Sequence, residues 1–251
     1  MSKLPRVTLL FWIMKIAATT LGETAGDLLS MTLKVGYAVS SLILVGLFVV
    51  SLAAQLRSKR YHPALYWTVI LSTSTAGTTM SDYMDRTLGL GYAKGTLILV
   101  VILAAIFTYW RWSAHSFSIQ HISTFKGEML YWTAILFSNT LGTALGDFLA
   151  DDSGLGFAGG ALLIAALLAL TAFATRAPRI SHTLLFWIAF VLTRPFGATT
   201  GDVLTKSTEK GGLNFGTIGS SLVLGGILVS LILYTTLSPH QETKVVAKAG
   251  R

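Results

Sequence analysis

The chain has 251 residues, 53% of them hydrophobic and only 12% charged, with a formal charge of +8 and no cysteine. A soluble domain carries about 25% charged residues, so a soluble enzyme and a disordered chain are both excluded. Without cysteine there is no disulfide scaffold, thiolate metal site or cysteine nucleophile.

In chain order, apolar runs open on the doublets Phe11-Trp12, Tyr66-Trp67, Tyr131-Trp132 and Phe186-Trp187. Ten positions after each Trp stands a glycine: Gly22, Gly77, Gly142 and Gly197. Fifteen after it stands an aspartate, Asp27, Asp82, Asp147 or Asp202, preceded by Gly26, Ser81, Gly146 or Gly201. The Trp-to-Trp intervals are 55, 65 and 55 residues, so the chain contains four copies of one unit.

The runs opened by these doublets cover 7–29, 63–85, 129–150 and 181–204, and a second set covers 35–56, 92–112, 156–175 and 214–237. A Gly-aromatic pair starts three of the second set; the fourth has Gly212-Leu213-Asn214-Phe215 after a longer connection. Each run has the length of about 20 residues that a helix needs to cross a bilayer. The pattern predicts an all-α integral membrane protein with eight transmembrane helices, arranged as four tandem hairpins with internal pseudo-symmetry. It forms a single transmembrane domain over 1–251, with repeats at 7–56, 63–112, 129–175 and 181–237 and a polar tail, 238–251. The polar loop Arg111–Glu128, with His115 and His121, divides it into halves.

Twelve of the nineteen basic residues fall on the side of the termini and even-numbered loops: Lys3, Arg6, Arg57, Lys59, Arg60, Arg111, Lys126, Arg176, Arg179, Lys244, Lys248 and Arg251. The other side holds Lys34, Arg86, Lys94, Lys206 and Lys210. This asymmetry predicts both termini inside, in the cytoplasmic (inner) membrane of a bacterium. The basic balance then reflects membrane-side loops, so the expected partner is the lipid bilayer and not nucleic acid. The Trp residues are read as interface anchors. The run from Val7 contains Lys15 and Glu23 and belongs to the first repeat, so no cleavable signal is expected.

Residues three, four, seven and eight before each Asp share its helical face. They are Thr24, Glu23, Thr20 and Thr19; Thr79, Thr78, Thr75 and Ser74; Ala144, Thr143, Thr140 and Asn139; Thr199, Ala198, Pro195 and Arg194. Polar groups facing hydrocarbon cost free energy, so these stripes should face one another or water. Intramembrane ionisable groups are functional candidates, and hydroxyl, amide and carboxylate oxygens suit hard cations. The candidate metal ligands are therefore Asp27, Asp82, Asp147, Asp202 and Glu23. The candidate pathway lining is Thr20, Thr24, Thr75, Thr79, Asn139, Thr140, Thr143 and Thr199, and Lys15 and Arg194 are charge partners. The bland alternative makes each Asp a cap or an ion-pair partner, of Lys34 for Asp27 and Arg86 for Asp82. The glycines read first as close-packing positions; Gly or Ser before each Asp also permits a local break. Arg194-Pro195 departs from the other repeats; the Pro should kink its helix and free a carbonyl. An Arg194 pair with Glu23 or an Asp would be either a lock that a substrate or proton opens or a static strut. No histidine pair has zinc spacing, and there is no P-loop, nucleophile elbow or HExxH. No enzyme activity and no covalent cofactor are expected.

The four Trp-to-Asp units resemble a bacterial family of integral membrane proteins built from four copies of a repeat of unknown function, each with two transmembrane segments and a Trp. The resemblance covers residues 9–237 and implies the architecture above; the repeat carries no assigned activity. A weaker similarity, to cation exporters with E-x-G-D motifs, touches only Glu23 and Asp27, here separated by three residues. The leading expectation is transport of a divalent metal cation as substrate, with manganese export the particular case and Glu23 the proton-coupled acid. The alternatives are a transporter or channel for another small solute, an anionic one using Lys15 and Arg194, and a non-transport sensor or scaffold. A homo-oligomer is compatible with either.

Overall fold

The computed structural model describes residues 5–58, 60–113, 124–177 and 180–237. The tail 238–251, His115, His121 and several of the basic residues used for orientation lie outside them. The described residues form an all-α protein with eight α-helices and no strand. The helices are α1 (Leu9–Asp27), α2 (Tyr37–Arg57), α3 (Pro63–Asp82), α4 (Tyr92–Ser113), α5 (Phe125–Asp147), α6 (Gly156–Ala174), α7 (His182–Thr205) and α8 (Thr217–Leu237).

Local chemistry sets the helix starts. The Thr8 and Thr124 side chains accept from the Phe11 and Gly127 amides, and Pro63 occupies a first-turn position where its missing N–H costs nothing. The helices do not break before the aspartates. In three repeats the helix widens after the Asp into a π-helical turn: Leu28–Thr32, Tyr83–Thr87 and Phe148–Asp152. The chain then reverses through a glycine at positive φ, Gly36 (82°), Gly91 (73°) or Gly156 (66°), a conformation a Cβ would disfavour. In the fourth repeat that position is Gly216 (φ 70°), beyond the 212–215 stretch that marked it in sequence, and α8 starts at Thr217.

α1, α3, α5 and α7 form a closed inner ring in that order, each touching the next and α7 touching α1. The second helices lie outside it. Each packs on the first helix of the following repeat: α2 on α3, α4 on α5, α6 on α7, and α8 back on α1. The two ends of the chain are thus joined by the same contact that joins successive repeats. The outer helices present Leu42, Val50, Leu97, Val101, Leu162, Leu170, Leu222 and Val223 outward, all exposed. Five helices, α2, α4, α6, α7 and α8, are long and apolar enough to cross a membrane. α1, α3 and α5 are not among them, because their second halves carry the polar stripes.

Glycine makes the ring possible. A Cβ on Gly77 would lie 2.9 Å from the backbone of Asn139 and Thr140, and one on Gly197 2.8 Å from the Thr19 backbone. Gly22 meets Ser74 and Gly142 meets Arg194 in the same register. The glycine five residues before each Asp therefore packs on the residue eight before the next Asp around the ring. Gly26, Gly146 and Gly201 pack likewise on Thr78, Ala198 and Glu23. Both rows have a spacing of four residues, the ridge pattern of the commonest helix-packing class.

At the other end of the ring the aromatic doublets interlock. Phe11 meets Trp67 at 5.6 Å between ring centres, Tyr66 meets Trp132 at 5.7 Å, Tyr131 meets Trp187 at 6.0 Å, and Phe186 meets Trp12 at 5.6 Å. The Tyr66 and Tyr131 hydroxyls share a buried hydrogen bond of 2.9 Å. This corrects the interface-anchor reading: Trp67, Trp132 and Trp187 are buried and only Trp12 is half-exposed. Each Trp packs on the first aromatic of the neighbouring repeat's doublet.

Candidate functional site

Positions twelve, eight, four and zero before the aspartates form successive layers along the inner ring. The first holds Lys15, Ile70, Ile135 and Phe190, all fully buried. Lys15 Nζ has no hydrogen-bond partner among the described residues and lies 4.0 Å from the centre of the Phe190 ring. Next come Thr19, Ser74, Asn139 and Arg194, then Glu23, Thr78, Thr143 and Ala198, and last the four aspartates, every one buried.

Arg194 spans the ring. From α7 its guanidinium pairs with Glu23 of α1 at 2.9 Å and donates to Thr143 of α5 at 2.7 Å. It also donates to Thr78 of α3, and reaches the Thr19 and Ser74 carbonyls at 3.3 Å. All three other inner helices are therefore tied to one side chain. α7 runs unbroken through Pro195, and the Thr193 carbonyl, two residues before it, accepts the Thr19 hydroxyl at 3.1 Å.

At the aspartate layer, Arg86 Nε lies 2.8 Å from Asp82, and its terminal nitrogen lies 3.5 Å from Asp147 Oδ2. Lys206 Nζ lies 2.7 Å from Asp27 and 3.0 Å from Asp202 Oδ1. Burial alone would lower the Lys206 ammonium pKa, but Asp202 and Asp27 outweigh it and hold the pKa above its ordinary value. The Arg86 guanidinium is held up in the same way by Asp82 and Asp147. Asp27 thus pairs with Lys206 and not with the exposed Lys34. Carboxylate oxygens of Glu23, Asp147 and Asp202 converge to within 4.8 Å of one another, an arrangement able to hold a metal ion. The five carboxylates outnumber the four bases of the ring, Lys15, Arg86, Arg194 and Lys206, by one if all are ionised.

Of the expected lining, the structure brings Asn139 and Thr143 into these layers. Thr20, Thr75 and Thr140 are buried, but their hydroxyls donate to the carbonyls of Ile16, Leu71 and Leu136 on their own helices. Thr79 donates to Ala76 O. Thr24 turns toward α8, where Ser221 donates to it at 2.9 Å, and Thr199 toward Gly160 of α6. Thr19, Ser74 and Thr78 stand in the axial layers instead. The sequence reading also missed Lys206 and the bridging reach of Arg86. A signal existed: a base stands four residues after the Asp in repeats two and four, where repeats one and three have Met31 and Asp151. Asp151 and Asp152 are exposed at the end of their π-helical turn.

Fold and site together define a four-repeat helical protein with an apolar exterior compatible with a membrane and a buried, charged centre. The chain belongs to the family described as Repeat of Unknown Function (DUF347), which matches at residues 10–61, 65–116, 130–180 and 185–240. No curated protein and no solved structure matches it.

Proposed function

We propose that this protein is a transporter of a divalent metal cation, with manganese export the particular case. On this reading all eight helices cross the bacterial cytoplasmic membrane, with both termini inside. α7 is long and apolar enough to span, and α1, α3 and α5 share its ring, so the four occupy the same depth. The observation that carries the function is the convergence of Glu23, Asp147 and Asp202 within 4.8 Å in a centre with excess negative charge. Oxygen ligands at this density suit a hard divalent ion. Asp27 and Asp82 hold the bases, and the interlocked aromatics seal the pathway on the Trp side. The test is thermal stabilisation of the detergent-solubilised protein by Mn²⁺, Mg²⁺, Ca²⁺ and Zn²⁺, since a ligand of the folded state stabilises it by about 2.7 kcal/mol at a hundredfold excess over Kd. A shift selective for one ion, absent in Asp147→Asn/Asp202→Asn, is expected together with ion flux into proteoliposomes. No shift and no flux with any ion would sink the reading.

A second reading, an anionic solute, has one observation in its favour: Lys15 Nζ and Arg194 Nε are buried without acceptors among the described residues. It requires Arg194→Gln to weaken binding of the solute whatever cation is present.

A further inference from the structure

The two bases at the aspartate layer are bound asymmetrically, and the asymmetry follows the acid cluster. Arg86 holds Asp82 at 2.8 Å but Asp147 only at 3.5 Å. Lys206 holds Asp27 at 2.7 Å and Asp202 at 3.0 Å. In each case the tighter arm grips an aspartate outside the Glu23–Asp147–Asp202 cluster and the looser arm one inside it. Asp147 Oδ2 and Asp202 Oδ1, the atoms the looser arms approach, are buried and accept no hydrogen bond among the described residues, and the same holds for Asp82 Oδ1 under the tighter Arg86 arm. Around the ring, the bases fill the α3–α5 and α7–α1 gaps. The α5–α7 gap, flanked by Asp147 and Asp202, has neither base, and Glu23 reaches toward it from α1.

We propose that Arg86 and Lys206 are tethered counter-ions that share Asp147 and Asp202 with an entering divalent cation, so that cation binding and release of the two looser arms are one event. The inference rests on the cation reading above. Without the ion, the bases offset the charge of two otherwise underpaired buried carboxylates, whose isolation in a low-dielectric site is costly. With the ion, the same carboxylates turn to it, and the bases stay anchored on Asp82 and Asp27. Repulsion between the ion and the retained bases weakens binding and favours release, as a transporter requires. The two bases therefore set affinity and are not ligands. A purely structural tie predicts the opposite: its loss would loosen the acid cluster and weaken the ion.

The experiment measures Mn²⁺ and Mg²⁺ binding by thermal stabilisation and by isothermal titration. It compares the full-length wild type with Lys206→Gln, Arg86→Gln and the charge-retaining Lys206→Arg and Arg86→Lys. The inference expects the two Gln variants to bind at least about tenfold more tightly and the charge-retaining variants within about threefold of wild type. Binding by the Gln variants with none by the wild type also supports it. Wild-type binding that the Gln variants match or lose overturns the counter-ion role and leaves the cation site standing. If a Gln variant fails to fold, Lys206→Met or Arg86→Met, which also removes the charge, replaces it: tighter binding supports the role, and unchanged or weaker binding overturns it. No binding by any of the five proteins overturns the cation reading itself.

Discussion

Arg194 and Glu23 form a fully buried ion pair, and its removal tests whether the inner ring is organised around one guanidinium. Glu23→Gln keeps the side-chain shape but leaves Arg194 with only neutral acceptors: Thr78, Thr143 and two backbone carbonyls. Arg194→Gln leaves the Glu23 carboxylate with the Thr78 hydroxyl at 3.3 Å as its remaining neighbour across the ring. Breaking one partner of a buried pair costs about 3–5 kcal/mol, because the other charge stays desolvated. For a chain of this size each kcal/mol moves the midpoint by about 2–4 °C, so each single variant should unfold about 6–20 °C lower. The double variant Glu23→Gln/Arg194→Gln removes both charges, and should lose at least about 2 kcal/mol less than the sum. The assay is thermal unfolding in detergent at fixed pH and lipid content, followed by intrinsic fluorescence of the buried Trp ring. Single variants within about 2 °C of wild type, or strict additivity in the double, would refute the account.

Two further outcomes test the ring itself. Gly77→Ala places a Cβ 2.9 Å from the Asn139 and Thr140 backbone and should cost about 1–3 kcal/mol, whereas Gly46→Ala on α2, with open space around it, should be neutral or slightly stabilising; equal midpoints would show that the glycine rows do not set the helix spacing. Tyr66→Phe leaves the buried Tyr131 hydroxyl without its partner and should cost about 1–2 kcal/mol by thermal unfolding. Tyr66→Phe/Tyr131→Phe, which matches Phe11 and Phe186 of the other repeats, should recover most of that loss; a double variant worse than the single would contradict the hydroxyl pair.

The residues that share a helical face were legible without coordinates. Fixed spacing from Trp to Gly to Asp gives four equivalent helices, and a run of Thr, Ser and Asn before each Asp cannot face hydrocarbon. That was enough to place Glu23, the four aspartates and Arg194 on buried helix faces and to read Gly22, Gly77, Gly142 and Gly197 as packing positions. A polar stripe is about a hundred degrees wide, however, and periodicity alone does not say which edge of it points inward. The crossing of the helices decides that. Because the glycine rows seat on residues four apart in the next helix, the inward edge runs through positions four and eight before each Asp. Thr24 and Thr199, three before it, are turned to α8 and α6. The ion pairs show the same division. Arg86 is four residues from Asp82 and was visible as a partner, but its reach to Asp147 belongs to the α3–α5 contact. For Asp27 the nearby Lys34 was the natural sequence partner, yet the ammonium it meets is 179 residues away. Local sequence fixes what each helix can offer; only closure of the ring, α7 against α1, decides which charges face each other, because that distance is set by packing and not by position along the chain.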